Sequence, residues 1–414
     1  MRRVSSSTAN NDVQYNLRMQ ESKINKVNNQ LGTQQRIQEL RDDPLAAGRL
    51  VRYQSYAGRV DQFEKNAQVL SDEYSVTEGY VNNSLQVMHR VRELALTGAN
   101  SYYDRDDLRN IAVEVDELLK NLIDNANAVG PEGNRIFAGT RTSNIAFNVD
   151  MGHVEGSAYP LITDVKYNGS ISQNKLDVDE RTSIEVDRSG NSVFWAERQQ
   201  LISNTDARSY IAKENGVIFV NGSEINVSRG DNVYAIIAKI NDSGTPVKAS
   251  LDPITSGLDL TTTDARQLWL EDKNGTVLKD LGIIKDSSQL PPYNLSNSVR
   301  VSGGSLFDSV IALRDALLAG DTESIGGKVL ASIDGGINNL VTYEAKVGSN
   351  YERTQQYIAK AETNKLNATS LVAREGDLDF TQAVTDMKML EYVKQATLNT
   401  ASNLYDNTLL NYLR

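Results

Sequence analysis

The sequence predicts an α+β fold: a long α-helical coiled-coil and bundle part formed by both chain ends, around a central β-rich insert. Three observations carry this. Both ends bear apolar stripes at helical spacing. The seven prolines leave the stretches before Pro44, between Pro44 and Pro131, and after Pro292 free of helix breakers. Between about residues 141 and 301 the apolar period shortens to that of strands.

The N-terminal stripe is Val13, Leu17, Ile24, Val27 and Leu31. Its steps alternate four and three once Gln20 is counted, which is the a/d seam of a coiled coil. The terminal stretch Phe380–Arg414 has a looser stripe: Met387, Leu390, Leu398, Ala401, Tyr405, Leu409 and Tyr412. An isolated helix of this kind is marginal in water, because its first turn is costly and it has little to bury against. Each end therefore needs a partner, and the other end is the nearest. The faces are narrow and lie where chains usually fray. We expect these twelve residues to form an assembly interface. We also expect the ends to be largely disordered in the free monomer and helical on assembly.

Asp42-Asp43-Pro44 reads as a helix start, with Asp43 as N-cap and Pro44 in the first turn. The helix after it carries Phe63, Ala67, Leu70, Tyr74, Thr77, Val81, Leu85, Met88 and Ala95 on one face. GANSYYDRDD interrupts it, and a further helix with Leu108, Ile111, Val115, Leu118, Leu122 and Val129 runs to Gly130-Pro131. In the insert, Leu161–Tyr167, Val217–Val227 and Gln267–Glu271 read as strands. Asn221-Gly222, Asn274-Gly275 and, more weakly, Asn168-Gly169 are hairpin signals, because such turns need positive φ. Tyr234–Ile240 is compatible with strand or helix. After Ser305 the helical period returns with Leu306, Val310, Leu313 and Leu317. A second helix follows from about Gly327, then the break REGDLDF and the terminal helix. Neither helical half buries its stripe alone, so the halves are expected to meet. The expected domains are 1–40 with 381–414, 41–141 with 302–380, and 142–301.

The 414 residues carry a formal charge of −11, which argues against nucleic acid as a partner. Cysteine is absent, which excludes disulfides and Cys-based zinc sites. No run of about 18 apolar residues suggests a membrane span. MRRVSSSTANNDVQYN lacks the apolar core of a cleavable signal peptide.

No catalytic set is expected. His89 and His153 share no ligand spacing. Gly326-Gly327-Lys328 lacks the earlier glycine and the following Ser or Thr of a phosphate loop, since Thr322 and Val329 stand there. Asp177, Asp179 and Glu180 lack the glycine and distant glutamate of a calcium loop. Arg229-Gly230-Asp231 matches an adhesion tripeptide but falls within a hairpin-like stretch, where a turn explains it. We expect no enzyme, cofactor or metal.

Several stretches have a familiar order. RIQELRDDPLAAGRL (36–50), ELALTGANSYYDRDDLRNIAVEVDELLKNLIDNAN (93–127) and GNRIFAGTRT (133–142) resemble the N-terminal helical elements and closing turn of the flagellin superfamily. GVIFVNGSEINVSRGDNVYAIIAKIN (216–241) is similar to the "IN" motif of flagellin-type inserts. SLFDSVIALRDALLAGD (305–321) and LLNYL (409–413) resemble the returning helical half and its apolar ending. Within the superfamily the order resembles the hook-associated protein 3 family, the hook–filament junction proteins. The resemblance implies a structural subunit of the bacterial flagellum that forms a short ring with copies of itself. The hook-associated junction protein would lie on one side and flagellin on the other. It also implies unfolded export by the flagellar type III apparatus with an export chaperone. The terminal helices would line the inner tube, and the insert would face outward. Flagellin itself is the alternative, although TASNLYDNTLLNYLR lacks the Gln- and Pro-containing stretch common before its terminus. A binding module acting through the insert is the reading from another class.

Overall fold

The computed structural model describes residues 6–412 apart from 101, 132 and 187, with backbone alone at 6–10 and 403–412. The chain divides into two compact units, one of residues 1–65 and 358–414 and one of 66–357. Three helices open it: α1 (Ser6–Thr33), α2 (Pro44–Gly98) and α3 (Arg105–Ala126). The insert follows with β1 (Phe147–Gly152), β2 (Leu161–Tyr167), β3 (Lys175–Asp179), β4 (Thr182–Glu185), the short α4 (Gly190–Val193) and β5 (Gln200–Ile202). It continues with β6 (Gly216–Val220), β7 (Ser223–Val227), α5 (Val233–Asp242), β8 (Val247–Leu251) and β9 (Leu258–Thr262). β10 (Leu270–Asn274), α6 (Val277–Asp280) and β11 (Arg300–Ser302) complete it. The chain returns through α7 (Leu306–Ala319), α8 (Thr322–Ser324), a π-helical turn (Ile325–Val329), α9 (Leu330–Gly376) and α10 (Phe380–Tyr412). This is the α+β architecture expected from the sequence.

In the first unit, the N-cap is the one expected. Asp43 Oδ1 accepts the Ala46 amide at 3.0 Å, and the proline follows it. Lys365 of α9 reaches Asp61 and Glu64 of α2, each at 2.8 Å.

In the second unit, α2 buries Ala67, Leu70, Tyr74, Thr77, Val81, Ser84, Met88, Val91 and Ala95, an unbroken three–four spacing. Ser84 takes the seam position rather than the half-buried Leu85. The hydroxyls of Thr77 and Ser84 are satisfied by the carbonyls four residues back, at 2.7 and 2.8 Å. α3 packs on α7, where Leu306, Val310, Leu313 and Leu317 are all buried. Arg314 is buried in the same layer. Its Nη1 donates to Asp116 of α3 at 3.0 Å and its Nη2 to Asp315 at 2.7 Å. α7 starts on a reciprocal cap. Ser305 Oγ accepts the Asp308 amide and Asp308 accepts the Ser305 amide.

Phe137, Phe147, Phe194 and Phe307 join the insert to this helical core. Phe147 lies 5.0 Å from Phe307, and Phe137 stands edge-on to Phe194 at 5.0 Å. Phe137 belongs to the turn IFAGT. The following Gly139 has φ +60°, and a Cβ there would meet the Ser170 carbonyl oxygen at 2.1 Å, so only glycine fits. Asn339 of α9 holds the turn bearing Phe194, donating to the carbonyls of Ser192 at 2.8 Å and Trp195 at 2.9 Å.

The insert is antiparallel throughout its described strands. It forms the pairs β1–β2 and β3–β4 and the sheets β10-β6-β7 and β11-β5-β9-β8. Its own core gathers Ile218, Val220, Ile225, Ile236, Leu258 and Leu260 among others. Asn241 brackets the edge of β8, donating to the Ala249 carbonyl at 3.0 Å and accepting its amide at 2.8 Å. Asn127 does the same for Phe147 of β1, at 3.0 and 2.9 Å.

Several expectations need correction in detail. Asn221-Gly222 does turn a hairpin between β6 and β7, with φ +42° and +101°. Asn274-Gly275 does not, because the chain goes on into α6. Asp272 accepts the amides of Leu278 and Lys279 there and closes a helical turn instead. Asn168-Gly169 leaves β2 without pairing it to the next strand. The strand expected at Gln267–Glu271 begins at Leu270, because Gln267 and Leu268 spend their amides on Asn191 and on the Gln199 side chain. Tyr234–Ile240 is helix: Asn232 caps it by accepting the Ala235 amide at 2.9 Å. The helix before Gly130-Pro131 ends earlier, at Ala126, where Asn127 leaves the helical conformation.

Candidate assembly interface

α1 and α10 pack along their length. On α1 the residues turned inward are Val13, Leu17, Gln20, Ile24, Val27 and Leu31, all half-buried. On α10 they are Ala383, Met387, Leu390, Lys394, Thr397 and Ala401, which repeat the four–three spacing. Only the two alanines are buried. Thr397, rather than Leu398, holds the seam position, and Leu398 stays 42% exposed beside it. Tyr405, Leu409 and Tyr412 lie on α10 outside the described side chains.

The polar seam positions find polar partners. Gln20 Nε2 donates to Thr397 Oγ1 at 3.0 Å, and Lys394 pairs with Glu21 at 3.2 Å. Gln20 Oε1 is buried with no donor among the described residues. Burying a polar layer costs stability but penalises shifted registers, since a one-heptad slip would set Gln20 against an apolar residue. The sequence shows Gln20 as the interruption of the stripe; its partner Thr397 escapes notice because the adjacent leucine draws the eye.

The base of the pair is clamped by backbone. The Arg36 amide donates to the Gly376 carbonyl at 2.8 Å, and the Leu378 amide to that of Gln34 at 3.0 Å. Arg36 Nη2 also reaches the Glu375 carbonyl at 2.9 Å. Lys26 of α1 pairs with Asp42 at 2.6 Å and, with the amides of Gln38 and Glu39, holds that carboxyl below the usual range.

The energetics of this unit are lopsided. Among its described residues the buried hydrophobics are Ile37, Ala46, Ala47, Val60, Ala361, Ala368, Ala383 and Ala401. Its exposed ones include Tyr15, Met19, Leu45, Val51, Leu366, Phe380, Met389, Tyr392, Val393 and Leu398. Full burial of a large aliphatic side chain contributes about 1.5–3 kcal/mol, and the half-buried seam residues contribute less. Ordering each backbone residue costs about 1–2 kcal/mol. On α10, Met389 and Tyr392 lie exposed on the face away from the seam, among Lys388, Glu391 and Gln395.

His89 and His153 are exposed, and the described residues hold no cluster of three or more metal-ligating acids or histidines. Lys328 sits in the π-helical turn. Asp231 of the Arg-Gly-Asp tripeptide accepts the Ser228 amide at 2.7 Å and Lys239 at 2.5 Å, and Gly230 takes φ +95°, so the tripeptide is a closed turn. No helix among the described residues is long and apolar enough to cross a membrane.

Comparison with known proteins agrees with this layout. The model of the bacterial flagellin N-terminal helical region matches residues 4–142, and that of the flagellin hook IN motif matches residues 215–264. Flagellar hook-associated protein 3 of Escherichia coli (strain K12) is 22% identical over 181 residues, 44% of this chain and 53% of the relative. A flagellin of Salmonella muenchen is 25% identical over 266 residues, 62% of this chain and 50% of the relative. The chain thus spans about half the length of these curated relatives. Flagellar hook associated protein-3 of Legionella pneumophila, a crystal structure, superposes with TM-score 0.46 at 15% identity, covering 78% of this chain and 96% of that one. The N-terminal end of this chain is thus similar to the flagellin helical region and its insert to the flagellin hook IN motif, and the chain resembles flagellar hook-associated protein 3.

Proposed function

We propose that the protein is a structural subunit of the bacterial flagellum that forms the junction between hook and filament. Copies assemble into a short ring through their terminal helices, with a hook-associated junction protein on one side and flagellin on the other. The subunit reaches that place by type III export, held by a chaperone on the way. The single observation that carries the reading is the first unit, whose described core is mostly alanine while its large apolar side chains face outward. Neighbouring subunits are what would cover them. The assembly interface comprises Val13, Leu17, Ile24, Val27 and Leu31 with Met387, Leu390, Leu398, Ala401, Tyr405, Leu409 and Tyr412. We further propose the three-part division 1–40 with 381–414, 41–141 with 302–380, and 142–301 as the functional units. The role is one of assembly, without catalysis.

The alternative is flagellin, favoured by the longer alignment to the Salmonella protein. Mixing the purified chain with flagellin and with preformed hook-junction complexes, followed by electron microscopy, separates them. Growth only on the junction, stopping at a short ring, supports the adaptor. Long filaments of this chain alone would make it a flagellin.

A further inference from the structure

Four Asn-Gly pairs occur in the insert, at Asn168, Asn215, Asn221 and Asn274. In this dipeptide the asparagine side chain is most open to attack by the next backbone nitrogen, because glycine has no Cβ to shield that nitrogen. All four share the glycine, so the fold decides which of them can react.

Three are held. Asn221 Oδ1 accepts the Trp269 amide at 2.5 Å, its own amide donates to the Trp269 carbonyl at 2.9 Å, and its Nδ2 is buried. Asn215 Oδ1 accepts the Arg229 amide at 2.8 Å, and the following Gly216 is buried in the β6 ladder opposite Val227. Gly169, after Asn168, is also buried, so close to Tyr167 that a Cβ there would meet the Tyr167 Oη at 2.3 Å. Asn274 differs on each count. It ends β10 just past a register shift, and Lys273 to Thr276 are all exposed. Neither its side chain nor the Gly275 amide makes a hydrogen bond among the described residues. Attack requires rotation about the Asn274 Cα–C bond, which only the last pair of the ladder, with Val217, opposes.

We propose that Asn274 is a site of spontaneous deamidation, the one Asn-Gly pair of the four that the fold leaves reactive. The Gly275 amide nitrogen gives its proton to solvent and bonds to Asn274 Cγ. The Cγ–Nδ2 bond breaks, and Nδ2 leaves as ammonia with a proton from solvent. Water then opens the cyclic imide at either carbonyl, leaving aspartate or isoaspartate, and nothing is oxidised or reduced. Each event adds one negative charge to the formal −11. Isoaspartate also lengthens the main chain where there is little room, since a Cβ on Gly216 would lie 3.0 Å from the Asn274 carbonyl oxygen. The end of β10 then has to separate from β6.

The test incubates the full chain at neutral pH, native and in concentrated urea, and follows the four sites by mass spectrometry of its peptides. In the native chain, Asn274 is expected to deamidate at least about tenfold faster than Asn168, Asn215 or Asn221, which react only through local opening. In urea the four rates are expected to converge. A native Asn274 no faster than any of the others overturns the proposal. So does a lead that persists undiminished in urea, which would place the preference in local sequence rather than in the fold. Peptides of both aspartate and isoaspartate at Asn274 support the imide step, and aspartate alone overturns it. Both arms use the unmutated chain, so no variant has to fold.

Discussion

Arg314 shows what one residue does in the helical core. Its charge is buried between α3 and α7 and is met by Asp116 and Asp315. Breaking such a pair leaves a buried charge uncompensated, at about 3–5 kcal/mol. Arg314→Ala is expected to lower the unfolding free energy of the second unit by that amount in urea titration. Arg314→Met, which fills the space, is expected to lose less when Asp116→Leu accompanies it. At the surface the scale is smaller and depends on pH. Lys365 and Lys65 hold Asp61 down to about 2. A carboxyl lower in the folded than in the unfolded state contributes stability above the unfolded value near 4, lost as pH falls through about 2. Asp61→Asn is expected to flatten the acid limb of the helical signal between those values. Because the group is exposed, the difference from the parent chain should vanish in about 1 M salt. A difference that survived would mean the pair is not acting through charge. Asp308 works the other way: burial raises its carboxyl despite the Ser305 amide, so its contribution falls as pH rises.

Among the elements, α1 and α10 contrast with α2. The buried α2 seam from Ala67 to Ala95 has full cover, whereas the α1 seam is half-buried along its length. Local stability follows the apolar contacts an element can close. Amides of Val13–Leu31 are expected to exchange quickly in dilute monomer and to slow at least about a hundredfold on assembly. Strong protection in dilute monomer would refute the idea that the ends order only in the polymer. The helices were legible in the sequence because their period repeats over many turns and averages out single exceptions. The short insert elements were not. Tyr234–Ile240 is apolar enough for either state, and the capping amide bond from Ala235 to Asn232 settles it as helix. Asn274-Gly275 looks like a hairpin turn, but the Asp272 carboxyl captures the amides that follow.

For the whole molecule, the decisive experiment is truncation. A chain lacking residues 381–414 is expected to lose polymerisation in electron micrographs while its insert keeps its fold, since the insert core draws on no residue beyond Val299. Normal assembly of the truncated chain would sink the proposed interface. The sequence by itself determined the order of helices, insert and helices, and the seam on α1. It also placed the β6–β7 hairpin and the likeness to the flagellin family. Each rests on local period or turn chemistry, which a chain carries without reference to distant residues. Only the tertiary structure decided that Thr397 rather than Leu398 meets Gln20 and that Arg314 is buried against Asp116. Those outcomes depend on which residues hundreds of positions apart come within a few ångströms, and no local pattern encodes that distance.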